Sequence, residues 1–222
     1  IGVGGVVPGM GSTHLALAIA SYLNKNKLKT AVVEFNDSPC LKNIANNKKS
    51  LYIYGGNAVE YKGVDIFFQK GSKSHDINII FKDIDIGDYK YIVFDMGGLK
   101  KVKKENEITI SHSYHEMWRM HHQILCLSGV PWYWPLIKLY ECKDLEPHIE
   151  DWNLIINFTN DKEYKNIHNE VINTTVLEKI YKSPIYVNPF NVVNNEYEEF
   201  FTEILKDIIP TPDKVKKKKR SP

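Results

Sequence analysis

Short apolar runs alternate along the chain with segments in which apolar residues recur at helical spacing. An apolar run of about four to eight residues is typical of a buried strand, whereas apolar residues three and four positions apart form one face of a helix. The predicted strands are Ile1 to Val6, Lys29 to Phe35, Tyr89 to Phe94, Ile124 to Ser128, Leu154 to Asn157 and Ile185 to Val187. The predicted helices are Thr13 to Lys25, Ile77 to Lys82, Pro135 to Tyr140, Val176 to Tyr181 and Glu196 to Ile208.

The alternation of strands and helices indicates the fold class. Leu51 to Phe68 is rich in aromatic and β-branched residues and is interrupted by Gly55, Gly56 and Gly63. It predicts a short hairpin or a pair of extended segments. Strands that are apolar throughout and alternate with helices indicate a parallel sheet covered on both faces. We therefore expect an α/β fold with a doubly wound, mostly parallel sheet flanked by helices. A ligand of such a sheet binds at the carboxyl ends of its strands.

Composition indicates a single domain. The chain has 222 residues, of which 43% are hydrophobic, which is enough for one sizeable core. We expect a domain over residues 1–209 and a basic, disordered tail or linker over 210–222.

The sequence also indicates a cellular location. The three cysteines have no metal-ligand spacing, and no membrane-spanning stretch or secretory signal is evident in the sequence. We therefore expect a cytoplasmic location, with the inner face of the membrane as an alternative. Because the chain starts within a predicted strand, we expect it to be part of a longer protein.

The net charge of +2 depends on the end of the chain. Lys214, Lys216 to Lys219 and Arg220 contribute six positive charges, so the rest of the chain carries a net charge of −4. Nucleic-acid binding is typical of a basic patch on the domain itself, and an acidic body does not support specific nucleic-acid binding. The basic segment is suited to contact anionic lipid or to flank a membrane segment.

Residues 1–14 have the form of a loop that binds phosphate. An apolar strand leads into a glycine-rich turn, and two hydroxyl residues begin a helix whose apolar positions start at Leu15. Such a turn directs backbone N–H groups and the positive end of the helix dipole at one position, where an anion is stabilised. The candidate phosphate-binding residues are Gly9, Met10, Gly11, Ser12, Thr13 and His14.

Two further groups of polar or small residues follow predicted strands. They are Glu34, Asn36 and Asp37 after the second strand, and Asp95, Gly97 and Gly98 after the strand that starts at Tyr89. An aspartate directly after an apolar strand is suited to order a Mg²⁺-bound water, and the glycines beside it would let the backbone approach a terminal phosphate. Because the carboxyl ends of parallel strands meet at one edge of a sheet, we expect both groups to lie beside the glycine-rich loop.

Together these segments resemble the ParA/MinD branch of the P-loop ATPases, which includes partition, cell-division-site and pilus-assembly ATPases. The resemblance extends from the first strand to the last helix. Its motifs are Gly9 to His14, Val32 to Asn36, Tyr91 to Asp95 and Leu154 to Asn157. It implies ATP or ADP as the ligand, with Mg²⁺ held by Thr13 and Asp95. The loop ending and the turn from Gly129 to Trp132 resemble a divergent bacterial set with a degenerate phosphate loop.

Three positions depart from that family where charged residues are expected. Ser12 stands in place of the lysine that holds the β- and γ-phosphates, and Val7 in place of a second lysine that reaches across a nucleotide-sandwiched dimer. Asn36 stands in place of the acid that positions the attacking water, and Glu34 replaces another acid of that segment. Phosphoryl transfer depends on positive charge and an oriented water, whereas backbone N–H groups bind phosphate without a lysine. The resemblance therefore implies a nucleotide-binding regulatory or assembly protein with weak or absent ATPase activity.

The sequence leaves two alternatives open. One is a scaffold that has lost its ligand and recruits protein partners through the His-rich segment 112–122, the aromatic turn 132–135 and the basic tail. A minor alternative is a dinucleotide-binding Rossmann domain, since Glu34 lies where an acid would bind a ribose. The third glycine of its loop, however, would fall on Val7 or His14. We expect protein partners in the nucleotide-binding interpretation as well.

Overall fold

The computed structural model describes residues 1–36, 40–46, 51–53, 58–68, 86–102, 108–110, 112–129, 151–175, 177–184, 188–192 and 195–209. The strands are β1 (Gly2–Gly5), β2 (Thr30–Glu34), β3 (Leu51–Ile53), β4 (Ala58–Tyr61), β5 (Val64–Phe67), β6 (Tyr91–Gly98), β7 (Lys100–Val102), β8 (Ile108–Ile110), β9 (Gln123–Ser128), β10 (Asn153–Asn157) and β11 (Ile180–Lys182). The helices are α1 (Ser12–Lys25), α2 (Lys42–Ala45), α3 (His112–Met117), α4 (Asp161–Thr174) and α5 (Asn195–Ile204), with a 3₁₀ turn at Ile86–Asp88.

Across the described residues, nine strands form one sheet in the order β11-β10-β9-β1-β6-β2-β5-β4-β3. All pairings from β11 to β5 are parallel, and β4 runs antiparallel between β5 and β3. The prediction of a mostly parallel α/β sheet with flanking helices is confirmed. The predicted hairpin region forms the antiparallel edge, while β7 and β8 make a separate two-stranded pair.

Helix α1 packs on the centre of the sheet and positions the loop that precedes it. Leu15, Ile19 and Leu23 recur along one face of the helix and are fully buried. Burial of each such side chain stabilises the fold by about 1.5–3 kcal/mol. Because α1 follows β1 after only six residues (6–11), this packing holds the start of the helix close to the carboxyl ends of the central strands.

The segment before α5 differs from its prediction. The predicted helix from Val176 to Tyr181 is wrong, because the chain enters strand β11 there, and Ile180 and Tyr181 pair with Leu154 and Ile155 of β10. A β-branched and an aromatic residue fit the edge of a sheet, and this pairing outweighs the apolar spacing that suggested a helix. The predicted last helix is present as α5 but ends at residue 204 and continues in turns to 208.

Helix α4 is not evident from the apolar pattern, since Val171 is its one buried residue. Its start carries a local signal, because the side chain of Asn160 accepts a hydrogen bond from the N–H of Glu163 at 2.9 Å. Several predicted elements lie outside the described residues. They are the strand 185–187, the helices 77–82 and 135–140, the turn 132–135, Asp37 and the tail 210–222. Within the described ranges, no helix has the length and apolar character needed to cross a bilayer.

Candidate functional site

The loop between β1 and α1 lies at the carboxyl edge of the sheet, beside the ends of β6 and β2. Strand β6 pairs with β1 on one side and with β2 on the other. In this register Val3 and Glu34 both lie opposite Asp95. The glycine-rich loop and the two groups of strand-end residues are therefore neighbours.

The loop backbone depends on two glycines in the left-handed region. Gly9 has a φ of 89° and Gly11 a φ of 86°, values that residues with a Cβ rarely adopt. Gly11 immediately precedes α1, and in the described part of the chain no side chain caps this helix start. An anion at this position would therefore meet backbone N–H groups, and phosphate binding by the loop stays a prediction.

Gly98 lets the loop cross the end of β6 at close range. A Cβ on Gly98 would lie 2.5 Å from the backbone nitrogen of Pro8, closer than a side chain can approach. Pro8 and Gly9 are exposed and form the outer part of the loop. Gly98 thus makes room for the loop, and its proximity to a terminal phosphate stays a prediction.

The opposite side of the loop is anchored to β9 and β10. The Asn157 side-chain amide donates to the carbonyl oxygen of Met10 at 2.8 Å, and the Ser128 N–H lies 3.2 Å from the Met10 sulfur. The Met10 side chain is buried. These contacts fix the loop to the sheet, and binding of phosphate by Met10 stays a prediction.

Phe158 borders the loop and is not evident from the sequence alone. Its backbone has a φ of 52°, and 45% of its surface is exposed. A Cβ on Gly11 would lie 3.1 Å from a Phe158 ring carbon, so the ring forms a wall beside the start of α1. The one signal in the sequence is its place directly after the strand-end residue Asn157.

The Asp95 carboxylate lies at the centre of the site and is fully buried. The Thr13 hydroxyl donates to one carboxylate oxygen at 2.6 Å, and the Gly97 N–H donates to the other at 3.2 Å. Burial raises the pKa of Asp95 from its ordinary 3.8 to about 6, and these hydrogen bonds partly oppose the rise. No Lys or Arg of the described residues forms an ion pair with this carboxylate.

Asn36 contacts Asp95 as a hydrogen-bond donor. Its amide nitrogen lies 3.2 Å from the Asp95 carboxylate and 3.4 Å from the Asp95 carbonyl oxygen. Its side chain also occupies the space beside Gly97, where a Cβ would lie 2.6 Å from that of Asn36. Gly97 has a φ of 59°, so both the backbone and the packing require glycine there. An aspartate at position 36 would place a second carboxylate against a buried one, which the amide avoids.

Glu34 is buried opposite Asp95, with one oxygen directed at the backbone before α2. It accepts hydrogen bonds from the N–H of Cys40 at 2.5 Å and of Leu41 at 2.6 Å. The Cys40 sulfur lies 3.9 Å from the Thr13 hydroxyl oxygen. Glu34 thus connects the end of β2 to the backbone of Cys40 and Leu41. These two residues border the site on the side of Thr13.

Two further sets of residues are Ser12 and His14 in the first turn of α1, and the histidines of the segment 112–122. Ser12 is buried and His14 is half-buried. In the His-rich segment, His122 is buried, with Nε2 2.9 Å from the carbonyl oxygen of Ile204, and burial lowers its pKa. His115 and His121 are exposed. Over the described ranges, no group of three or more His, Cys, Asp or Glu side chains is arranged to hold a metal ion.

The oxygen atoms at the centre of the site are of the kind that Mg²⁺ prefers. Magnesium in nucleotide sites is held by one or two protein oxygens, with phosphates and waters completing the octahedron. The Thr13 hydroxyl and the Asp95 carboxylate are adjacent oxygen donors at the start of α1. These two residues fit a magnesium ion that is shared with a phosphate.

Comparison with solved structures gives the fold. A plasmid partition protein from Borrelia burgdorferi superposes with a TM-score of 0.54 at 16% identity, over 93% of this chain and 97% of that one. A cobyrinic acid a,c-diamide synthase from Mycobacterium smegmatis, solved with ADP and magnesium, superposes with a TM-score of 0.58 at 11% identity, over 92% and 94%. The chain therefore shares the overall fold of these two proteins, a mostly parallel α/β sheet with flanking helices. No protein-family model and no curated protein matches the sequence.

At these identities the similarity concerns the fold. In open α/β sheets, ligands bind at the carboxyl ends of the strands. The candidate residues at the start of α1 and at the end of β6 lie at that edge of the sheet.

Proposed function

We propose that the protein binds ATP or ADP together with Mg²⁺ and hydrolyses ATP weakly or not at all. The observation that carries the proposal is the 2.6 Å hydrogen bond from the Thr13 hydroxyl to the buried Asp95 carboxylate. This pair lies at the start of α1, which no side chain of the described residues caps. A fully buried carboxylate is costly for folding, and such groups cluster at functional sites. In this proposal the protein acts through partners, as a regulatory or assembly component.

The chain's own residues have distinct roles in this proposal. Backbone N–H groups of Gly11, Ser12 and Thr13 would bind the phosphates, and Thr13 and Asp95 would hold Mg²⁺, which supplies positive charge to them. The neighbour from Mycobacterium smegmatis was solved with ADP and magnesium. That observation supports this ligand class for the fold.

Weak catalysis follows from the side chains that surround this position. Ser12 carries no charge where the resemblance implies a lysine, and Val7 is 2% exposed and apolar. Asn36 donates to Asp95 and has no carboxylate to orient a water. Each missing charge-stabilising group in such a site typically lowers the rate by a factor of about 10² or more, so the three changes together favour binding without turnover.

Calorimetric titration tests the binding. We expect Mg·ATP or Mg·ADP to bind the wild-type chain, and Thr13→Val to weaken that binding about tenfold in the presence of Mg²⁺, because the hydroxyl that would contact the metal is lost. Thr174→Val, on the exposed end of α4, is the matched control and should bind as the wild type does. Absence of binding at millimolar nucleotide would contradict the proposal and favour a ligand-free scaffold.

A further inference from the structure

A groove lies between the edge strand β11 and helix α5, away from the candidate nucleotide site. It encloses a cavity of about 290 Å³. Its floor is formed by Tyr164, Ile180 and Phe200, and its rim on α5 by Glu196, Glu199 and Glu203. An aromatic floor with an acidic rim is suited to a chain segment that carries long basic side chains, whose methylene groups cover aromatic rings while their charged ends meet carboxylates.

The charges on the rim are only partly balanced. Helix α5 carries four glutamates and no basic residue. Glu203 pairs with Lys206 at 2.8 Å, whereas among the described residues neither Glu196 nor Glu199 has an ion-pair partner. Of the described residues that line the groove, Lys182 is the one lysine, and it pairs with Asp161 at 2.6 Å. The groove therefore offers a negative rim to a cationic partner.

We infer that this groove binds the chain's own basic segment, Lys214 to Arg220. The segment carries six positive charges and one apolar residue, Val215, and so complements both the rim and the floor. The last described residue, Ile209, lies six residues after Glu203 of the rim, and its N–H donates to the carbonyl oxygen of Leu205 at 2.9 Å.

The connection is long enough for the segment to fold back along α5. Between Ile209 and Lys214 the chain contains two prolines, and an extended segment of that length spans about 16 Å at about 3.1 Å per residue. The rim from Glu196 to Glu203 extends over about 10 Å at about 1.5 Å per residue of helix. A covalent connection of this length also gives the basic segment a high effective concentration at the groove.

Limited digestion of the full chain with trypsin tests this inference, because trypsin cleaves after lysine and arginine. At low salt, about 20 mM, we expect cleavage within residues 214–220 to be about fivefold slower in the wild type than in a variant with Glu196→Gln and Glu199→Gln. The difference should disappear at about 1 M salt, where the Debye length is about 3 Å. The matched control carries Glu170→Gln and Glu198→Gln, which remove the same charge outside the groove and should leave the wild-type protection intact.

Three results would overturn the inference. The first is equal cleavage of the wild type and both variants at low salt. The second is protection that increases with protein concentration, which would place the segment on a second copy of the chain. The third is protection that appears only when vesicles containing an anionic lipid are added, which would assign the segment to a membrane surface. Thermal unfolding of the three proteins establishes that all are folded.

Discussion

Replacing Asp95 by asparagine is expected to raise the free energy of unfolding at pH 7.5 by about 2 kcal/mol. The carboxylate is fully buried, and burial raises its pKa from 3.8 to about 6. Each pKa unit corresponds to about 1.4 kcal/mol, so the ionised form costs the folded state about 3 kcal/mol. Asparagine avoids this cost but loses part of the hydrogen bonding with Thr13 and Gly97, which reduces the expected gain.

The same substitution should change how stability depends on pH. Because the folded-state pKa of Asp95 is higher than that of the unfolded chain, the folded state binds more protons between pH 4 and 6. Asp95 therefore destabilises the folded state increasingly as the pH rises from 4 to 6, and this destabilisation stays constant at higher pH. Urea denaturation at pH 4.5, 6 and 7.5 should show the largest gain for Asp95→Asn at pH 7.5 and the smallest at pH 4.5.

Asp88→Asn is the control for this experiment, because Asp88 is exposed and pairs with Lys29 at the surface, where such pairs contribute little. We expect it to change stability by less than about 1 kcal/mol at each pH. A loss of stability in Asp95→Asn at pH 7.5, or an unchanged pH dependence, would contradict the assignment of Asp95 as a costly buried carboxylate. In the proposed function that cost is retained for metal binding, as is common when stability and activity compete.

Replacing Ser12 by lysine is expected to tighten ATP binding by about tenfold to a hundredfold. Ser12 lies at the start of α1 beside Thr13, where the resemblance places a phosphate-binding lysine. A hydrogen bond between an ammonium group and a phosphate typically contributes about 1.5–3 kcal/mol. The effect should be larger for ATP than for ADP, because the added charge meets the terminal phosphates. ATP turnover should stay low, since Asn36 still donates to Asp95.

Ser12→Met is the matched control for this prediction, because methionine has a long side chain similar to that of lysine but no charge. Calorimetric titration of the three proteins with ATP separates the two effects. Equal affinities of the lysine and methionine variants would show that position 12 does not face the phosphates. A gain confined to the lysine variant is the expected result.

The sheet could be predicted from the sequence because its central strands are buried on both faces. Such strands appear as uninterrupted apolar runs, as in Tyr91 to Phe94, and their alternation with helices specifies a parallel sheet. Helix α4 could not be predicted in this way, since Val171 is its one buried residue. The spacing over Val176 to Tyr181 predicts a helix where β11 lies, because three residues at the edge of a sheet carry too little periodicity to distinguish a strand from a helix.

Part of the candidate site could also be predicted from the sequence, and part could not. The glycine-rich loop and the strand-end residue Asp95 are local signals, and parallel strands bring them together. The packing of Gly98 against Pro8 depends on how the loop crosses β6, which the sequence does not specify. The contact of Phe158 with Gly11 joins residues that are far apart in the chain, so it depends on the finished sheet.

A single-turnover experiment tests the central claim most directly. The wild-type chain, in excess over labelled ATP and in the presence of Mg²⁺, is sampled over hours, and both the protein-bound label and its conversion to ADP are measured. We predict that labelled nucleotide is retained on the protein and is hydrolysed more slowly than about 10⁻³ s⁻¹, near the intrinsic rate of an unassisted GTPase. Hydrolysis faster than this, or the absence of any bound label, would contradict the account of a site that binds nucleotide without turning it over.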